Sequence, residues 1–448
     1  MTAARRLRTG FVAGAVLYTL GQGCTLLLQW LLLRQFGLHG YGEVGLAHLA
    51  LPTVLFLADL GYGSLFLRED PAAAGWATRW RQALGHRLCA TVLLDLLLLA
   101  AAWRRTAGHG DGFAYLVAAL PATVFGLVGY SAPLLAQGRR MLGFLVQQIA
   151  MPVAIVAWLA LRATSGSGSG GVAGLAVSIG YLVQALVNVA AFGGPLRLLA
   201  PRRGGGRRLI GAALHLSLLG IAGLLHDRLT PVLLASIAPA VLPGYLILGY
   251  ALSGASGVFN QFNRLLLAEA GTELGERWTR GLASLVLGLS ALGAHALLLA
   301  AAGWDGAVRA WLPWAMPVLA AGAVSLLSGV LSALLIGRHR ERALLWLLLC
   351  GLSCSALLQL AAAAQSAPQV LLWARLLCLL AIAAASLRLC GIRLNPGGHA
   401  AVASALLASA PWLGTGAWMV SAALLPPAAW FAWRQRGLLR ERTAAHAR

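Results

Sequence analysis

FVAGAVLYTLGQGCTLLLQWLLL, residues 11–33, is the first of a series of long apolar runs, and its length decides the class of fold. It holds no charged residue over 23 positions. A helix rising ~1.5 Å per residue needs only about 20 to cross a hydrocarbon core of ~30 Å. The run is too long for a signal-peptide core, and no small-residue cleavage site follows it, so it reads as an uncleaved first span. Similar runs recur at 43–67, 84–103, 113–137, 141–161, 171–193, 210–238, 243–268, 281–302, 311–336, 343–363, 368–389, 397–412 and 416–433. The expected fold is all-α and integral to the membrane, with about 14 transmembrane helices (12–14).

Composition agrees. Of 448 residues 59% are hydrophobic and only 10% charged, with a mean hydropathy of +0.79. No soluble core of this length hides so much apolar surface. The net charge of +21 would suggest nucleic acid in a soluble protein, but all 34 basic residues are Arg and nearly all lie between apolar runs. They read as topology determinants, and no nucleic-acid partner is expected. With the N-terminus in the cytoplasm, 27 arginines fall on the inner side and five on the outer, while Arg228 and Arg375 fall within spans. The Arg-rich tail after Trp433 favours two spans over 397–433, which puts the C-terminus inside; one long tilted span would put it outside. The expected location is the cell inner membrane, crossed many times. Trp30, Trp103, Trp304, Trp311, Trp314, Trp412, Trp430 and Trp433 lie near span ends as an interfacial belt. Cys350 and Cys354 share a helical face, but no His or acid sits beside them, so they read as apolar packing and no metal is expected.

The basic, Gly-containing stretch GPLRLLAPRRGGGRR (194–208) follows the sixth span and divides the chain. The expected organisation is a six-helix lobe over 1–193, the cytoplasmic linker 194–208, a second six-helix lobe over 209–393, and a terminal helix pair with a basic tail over 394–448. The lobes carry traces of a repeat. Aligning Gly40-Tyr41 with Gly244-Tyr245 sets Asp59 opposite Asn263, and PLLAQGRRMLGFL (133–145) matches ALLIGRHRERALL (333–345) at a similar offset. Six spans per repeat keep one orientation, which implies a pseudo-two-fold axis along the membrane normal and a central cavity between lobes.

Polar groups within spans are few, and each is costly unless it meets a partner or a cavity. Those singled out are Asp59 on the second span, Asp95 on the third, Asp227 and Arg228 on the seventh, and Arg264 on the eighth. Asn260, Asn263 and Arg264 share a helical face, with Gln261 beside them. Asp227 and Arg228 project ~100° apart, so they are not a simple self-neutralising pair. Asp95 reads first as structural. Gln22, Gln29, Gln147 and Gln148 are milder candidates, either glycan-binding amides or interhelical glue. No HExxH, GxSxG, paired-carboxylate or P-loop motif is present, so no catalytic residue, cofactor or enzyme activity is expected.

Three stretches carry a resemblance: LLLRQFGLHGYGEVGLA (31–47) with ADLGYGSLFLRE (58–69), HDRLTPVLLASIAPAVLPGYLILGYALSG (226–254), and LLIGRHRERALL (334–345). Their order and spacing resemble those of bacterial polysaccharide or O-antigen (lipid-linked oligosaccharide) flippases. These belong to the multidrug/oligosaccharidyl-lipid/polysaccharide exporter superfamily. The resemblance spans residues 1–393, and it departs at LLLAEAG (265–271), where the family often carries a Pro. It implies alternating access and an undecaprenyl-pyrophosphate-linked oligosaccharide moved from the cytoplasmic to the outer leaflet. The partners implied are that lipid-linked glycan, membrane lipids, a coupling ion (H+ or Na+) and other polysaccharide-assembly proteins. On this reading Arg228 and Arg264 meet the anionic head group, since the guanidinium fork matches phosphate oxygens. Asp59, Asn260, Gln261 and Asn263 line the glycan path, and Asp227 orients Arg228 or takes part in ion coupling. The alternatives are an ion-coupled drug or metabolite antiporter of the MATE type, a membrane-embedded glycosyltransferase or polymerase, and a scaffold for envelope assembly. Short outer loops weigh against the second, and an Arg content at least as prominent as Asp weighs against the first.

Overall fold

The computed structural model describes residues 3–68, 72–128, 140–166, 168–192, 198, 200–254, 312–338 and 340–392. The described residues form helices and short turns, with no strand among them. Among the described residues seven helices are long and apolar enough to cross a membrane, and the chain is a multi-pass membrane protein. Apolar side chains cannot satisfy backbone polar groups in hydrocarbon, so each span closes its own hydrogen bonds as a helix.

The elements in chain order are α1 (Ala3–Ala58), α2 (Tyr62–Arg68), α3 (Trp76–Thr106), α4 (Asp111–Ala119), α5 (Pro121–Val128), α6 (Arg140–Gln147), α7 (Ala150–Ser165), α8 (Gly170–Phe192) and α9 (Gly206–Ile237). Then follow α10, helical over residues 242–254, α11 (Leu312–Gly337), α12 (Glu341–Ala364) and α13 (Pro368–Leu389). The last three match the expected tenth to twelfth spans within two residues, and α8 matches the sixth. The ninth, thirteenth and fourteenth expected spans lie outside the described residues.

Three expected spans are broken. α1 is two helices joined at Gly37, whose φ of 66° and ψ of −175° no helix accommodates, so the first two spans meet there. The second span stops at Ala58, because Leu60 (φ 51°) and Gly61 (φ 85°) take left-handed backbone before α2 begins. Gly61 is required there, since a Cβ would stand 2.1 Å from the Ala213 carbonyl oxygen of α9. The fourth span divides into α4 and α5 at Leu120–Pro121, where the missing Pro N–H interrupts the ladder. The fifth divides into α6 and α7 at Gln148–Ile149.

The chain separates into two compact units, Met1–Asp227 and Arg228–Arg448. In the first, α8 packs against α4, α5, α6 and α7, while α1 packs against α3, α4, α5, α6 and α7. Glycines make α8 fit. A Cβ on Gly170, Gly174 or Gly180 would lie 2.0, 2.2 or 2.3 Å from the backbone oxygens of Asp111, Tyr115 and Ala150 respectively. Small residues at helical spacing let backbones approach where lipid offers no hydrophobic drive to associate. Asp111, the first residue of α4, accepts a 2.7 Å hydrogen bond from the Gly170 N–H and so caps α8. Asp111→Ala should cost about 1 kcal/mol, read as a lower melting temperature of the detergent-solubilised protein.

At the start of α3, Trp76 and Trp80 stack at 5.8 Å and Phe66 of α2 meets both edge-on. This aromatic cluster is buried with Tyr62 and Ala213, unlike the exposed belt residues Trp30 and Trp103. The basic linker docks here. Arg202 N–H donates to the Arg81 carbonyl at 2.8 Å, and Arg81 Nε–H donates to the Ala200 carbonyl at 3.0 Å.

In the second unit α13 packs against both α11 and α12 through Leu371, Leu372, Leu376, Leu379 and Ile382. The Gly-Arg turn after α11 ties down the end of α13. Arg338 Nη1 donates to the Cys390 carbonyl at 2.7 Å and Arg340 Nη1 to the Leu389 carbonyl at 2.8 Å. Cations there satisfy otherwise orphaned carbonyls at the negative end of the helix dipole.

Candidate functional site

Asp59 lies in the turn that ends the second span rather than within a helix. Its Oδ2 accepts the Gly63 N–H at 3.0 Å, and its Oδ1 stands 3.2 Å from Arg87 Nη2 of α3. The Arg87 side chain is only 3% exposed and that of Asp59 23%. The pair ties the second span to the third, and beside it the Tyr62 hydroxyl meets His86 Nδ1 at 2.6 Å. Arg87, counted from sequence with the inner-side arginines, is therefore a buried partner of the first candidate carboxylate.

Other polar side chains of the first unit hold helices together. Tyr41 OH donates to Gln29 Oε1 at 3.0 Å across the bend of α1, with both side chains buried. That assigns Gln29 to glue rather than to a glycan. His48 of α1 and Tyr115 of α4, both buried, hydrogen-bond through Nδ1 and the phenol oxygen. Neither was marked by sequence, because a single His in an apolar run carries no spacing signal.

Asp227 and Arg228 are successive residues of α9. Asp227 is 56% exposed and its Oδ1 lies 3.9 Å from Nδ1 of the buried His226. Arg228 is half-buried. Asn260, Gln261, Asn263 and Arg264 lie outside the described residues.

The second unit contains a polar network that sequence reading did not assemble. Arg375 of α13 donates through Nη1 to Thr230 Oγ1 of α9 at 3.1 Å and also to the Tyr245 hydroxyl of α10. Thr230 in turn donates to Gln359 Oε1 of α12 at 2.7 Å, and Gln359 Nε2 donates to Ser355 Oγ at 3.1 Å. Thr230, Gln359 and Ser355 are fully buried. A guanidinium at membrane depth thus sits among hydroxyls supplied by two further helices. The sequence held one signal for it: Arg375 falls inside an expected span. Its partners come from helices over a hundred residues away, which spacing does not relate.

No protein-family model matches the sequence, and no curated protein sequence matches it. Solved structures do match in three dimensions. The lipid II flippase MurJ in its inward closed conformation superposes with a TM-score of 0.62 at 8% identity, covering 96% of this chain and 100% of its own. A MOP superfamily transporter from Pyrococcus furiosus, with a binding pocket described as reversed in polarity, gives 0.60 at 13% identity over 85% and 95% of the two chains. The eukaryotic MATE transporter AtDTX14 gives 0.59 at 15% identity over 90% and 98%. At such identities the likeness speaks to fold alone: the chain shares its fold with these three proteins.

Proposed function

We propose that this chain is a flippase that carries an undecaprenyl-pyrophosphate-linked oligosaccharide from the cytoplasmic to the outer leaflet by alternating access. What supports the reading is a pair of arginines in the second unit, Arg228 and Arg375, both within spans expected from the sequence. Arg228 lies on α9, two residues from the Thr230 that holds Arg375. Planar guanidinium groups at membrane depth are costly and suit a multiply charged pyrophosphate far better than a cationic drug. The fold is shared with a lipid II flippase, which is itself named for moving a lipid. The lipid tail stays in the bilayer, so the protein needs to shelter only the head group and the sugars.

In this scheme Arg228 and Arg264 bind the pyrophosphate, and Arg375 stiffens α9 through Thr230. Asn260, Gln261, Asn263 and Asp59 line the glycan path, and Asp227 orients Arg228 or couples an ion. The N-terminus and the Arg-rich tail face the cytoplasm. Arg228→Ala and Asn263→Ala should each lower transport of lipid-linked glycan in cells or vesicles by roughly tenfold or more, equivalent to about 1.4 kcal/mol. Full transport by both variants at equal expression refutes the assignment. Lipid-linked repeat units should accumulate on the inner side of a null mutant, which an antiporter, a polymerase or a scaffold does not predict.

A further inference from the structure

We infer that the first unit holds a monovalent cation site, suited to Na+, formed by Asp95 and Thr91 of α3 with Thr123 and the broken backbone between α4 and α5. Asp95 lies mid-way along α3, a helix of 31 residues. The opposite face of that helix, with Val92, Leu93, Leu96 and Leu97, is exposed as a lipid-facing stripe. Thr91 and Asp95 are one turn apart on the inward face, and α3 packs there against α5.

The local inventory is rich in oxygen and poor in hydrogen. Thr123 Oγ1 lies 2.7 Å from Asp95 Oδ2 and also 2.7 Å from the Leu120 carbonyl oxygen. A hydroxyl has one proton and serves one of these acceptors at a time. Asp95 Oδ1 is buried and has no hydrogen-bond partner among the described residues. The same holds for Thr91 Oγ1, on a residue that is 0% exposed. No ion pair to Asp95 is formed among the described residues. The nearest arginine on its helix, Arg87, is engaged two turns away by Asp59.

The backbone adds to the imbalance. Pro121 has no N–H, so the Val117 carbonyl lacks its usual helical donor, and Thr123 N–H turns to Leu120 O at 3.0 Å instead of continuing the α pattern. Interrupted helices at membrane depth leave carbonyl oxygens that bind coupling ions in transporters generally. The donor set is all oxygen with a single carboxylate. It suits a hard cation of charge +1, because a divalent ion would leave net charge buried in hydrocarbon. The site is distinct from Asp227, the residue first considered for ion coupling, and it does not depend on what the protein transports.

The test uses purified full-length protein and Na+ alone, titrated against choline at constant ionic strength. It reads thermal stability and radioactive-sodium binding. Na+ should raise the melting temperature of the native protein, as any ligand of the folded state does. Asp95→Asn keeps an acceptor for the Thr123 hydroxyl and should abolish the shift. Thr91→Val removes a hydroxyl that makes no hydrogen bond among the described residues, so it should fold normally while weakening Na+ binding by roughly tenfold. The inference is overturned if the native protein shows no Na+ dependence, if Asp95→Asn and Thr91→Val bind as well as native, or if stability follows pH but not Na+. The last result would mean a neutral carboxylic acid. Because no transported lipid enters the assay, a failed flippase assignment leaves the result intact, and the converse also holds.

Discussion

Asp59→Ala should destabilise the protein by about 3–5 kcal/mol, because it strands the Arg87 guanidinium in a site with almost no water. The Arg87 side chain is 3% exposed, and the carboxylate oxygen 3.2 Å away is the counter-ion that the structure provides. The measurement is the melting temperature and monodispersity of protein purified in detergent. Asp59→Ala/Arg87→Met should recover most of the loss, since an apolar side chain of similar length replaces the stranded charge. If the single variant is as stable as native, the pair has no structural weight. The double variant also separates two roles for Asp59. Restored stability with restored transport makes the pair a tie between the second and third spans. Restored stability without transport puts Asp59 on the glycan path.

Gly174→Ala should cost about 3 kcal/mol, the upper end for overpacking, although it adds a single methyl group. The new Cβ would lie 2.2 Å from the Tyr115 carbonyl oxygen and 3.0 Å from its carbon. Backbone cannot swing aside as a long side chain can, so α8 and α4 would have to separate. That separation would also strain the contact between Tyr115 and His48 of α1. The control is Gly211→Ala on α9, where nothing lies within 4 Å of the added carbon. There the gain in helix propensity leaves stability unchanged or raised by up to about 1 kcal/mol. Equal melting temperatures for the two variants would refute the close-packing account of α8.

How much was legible follows from what kind of signal each feature leaves. The span over 368–389 coincides with α13 because apolar length and flanking polar residues are properties of the chain alone. The expected span 113–137 ran straight through Pro121, where the helix breaks, yet Pro52, Pro231 and Pro317 sit inside helices that continue. Pro marks a weak point, and neighbouring helices decide whether it opens. The turn at Asp59–Gly61 was hidden because hydropathy sums straight across two left-handed residues. The ninth of the expected spans, like Asn260 to Arg264, falls outside the described residues.

Partners were least legible. In water, an amphipathic stripe tells which face of a helix is inward. In lipid both faces are apolar, so periodicity does not orient a helix and only its scattered polar atoms do. Asp59 and Asp95 were visible as expensive groups. That Arg87 answers one, and that Thr91, Thr123 and a broken backbone surround the other, depends on how α1, α3 and α5 are rotated against each other. The same holds for Arg375, whose hydroxyl partners come from α9 and α10.

The first apolar run, residues 11–33, and its successors by themselves determined that this is a helical membrane protein, because partition into hydrocarbon depends only on local composition and length. Tertiary structure alone decided which buried polar groups neutralise one another and which gather oxygen without hydrogen. Those outcomes depend on distances of about 3 Å between helices far apart in the chain, and such distances are set by packing.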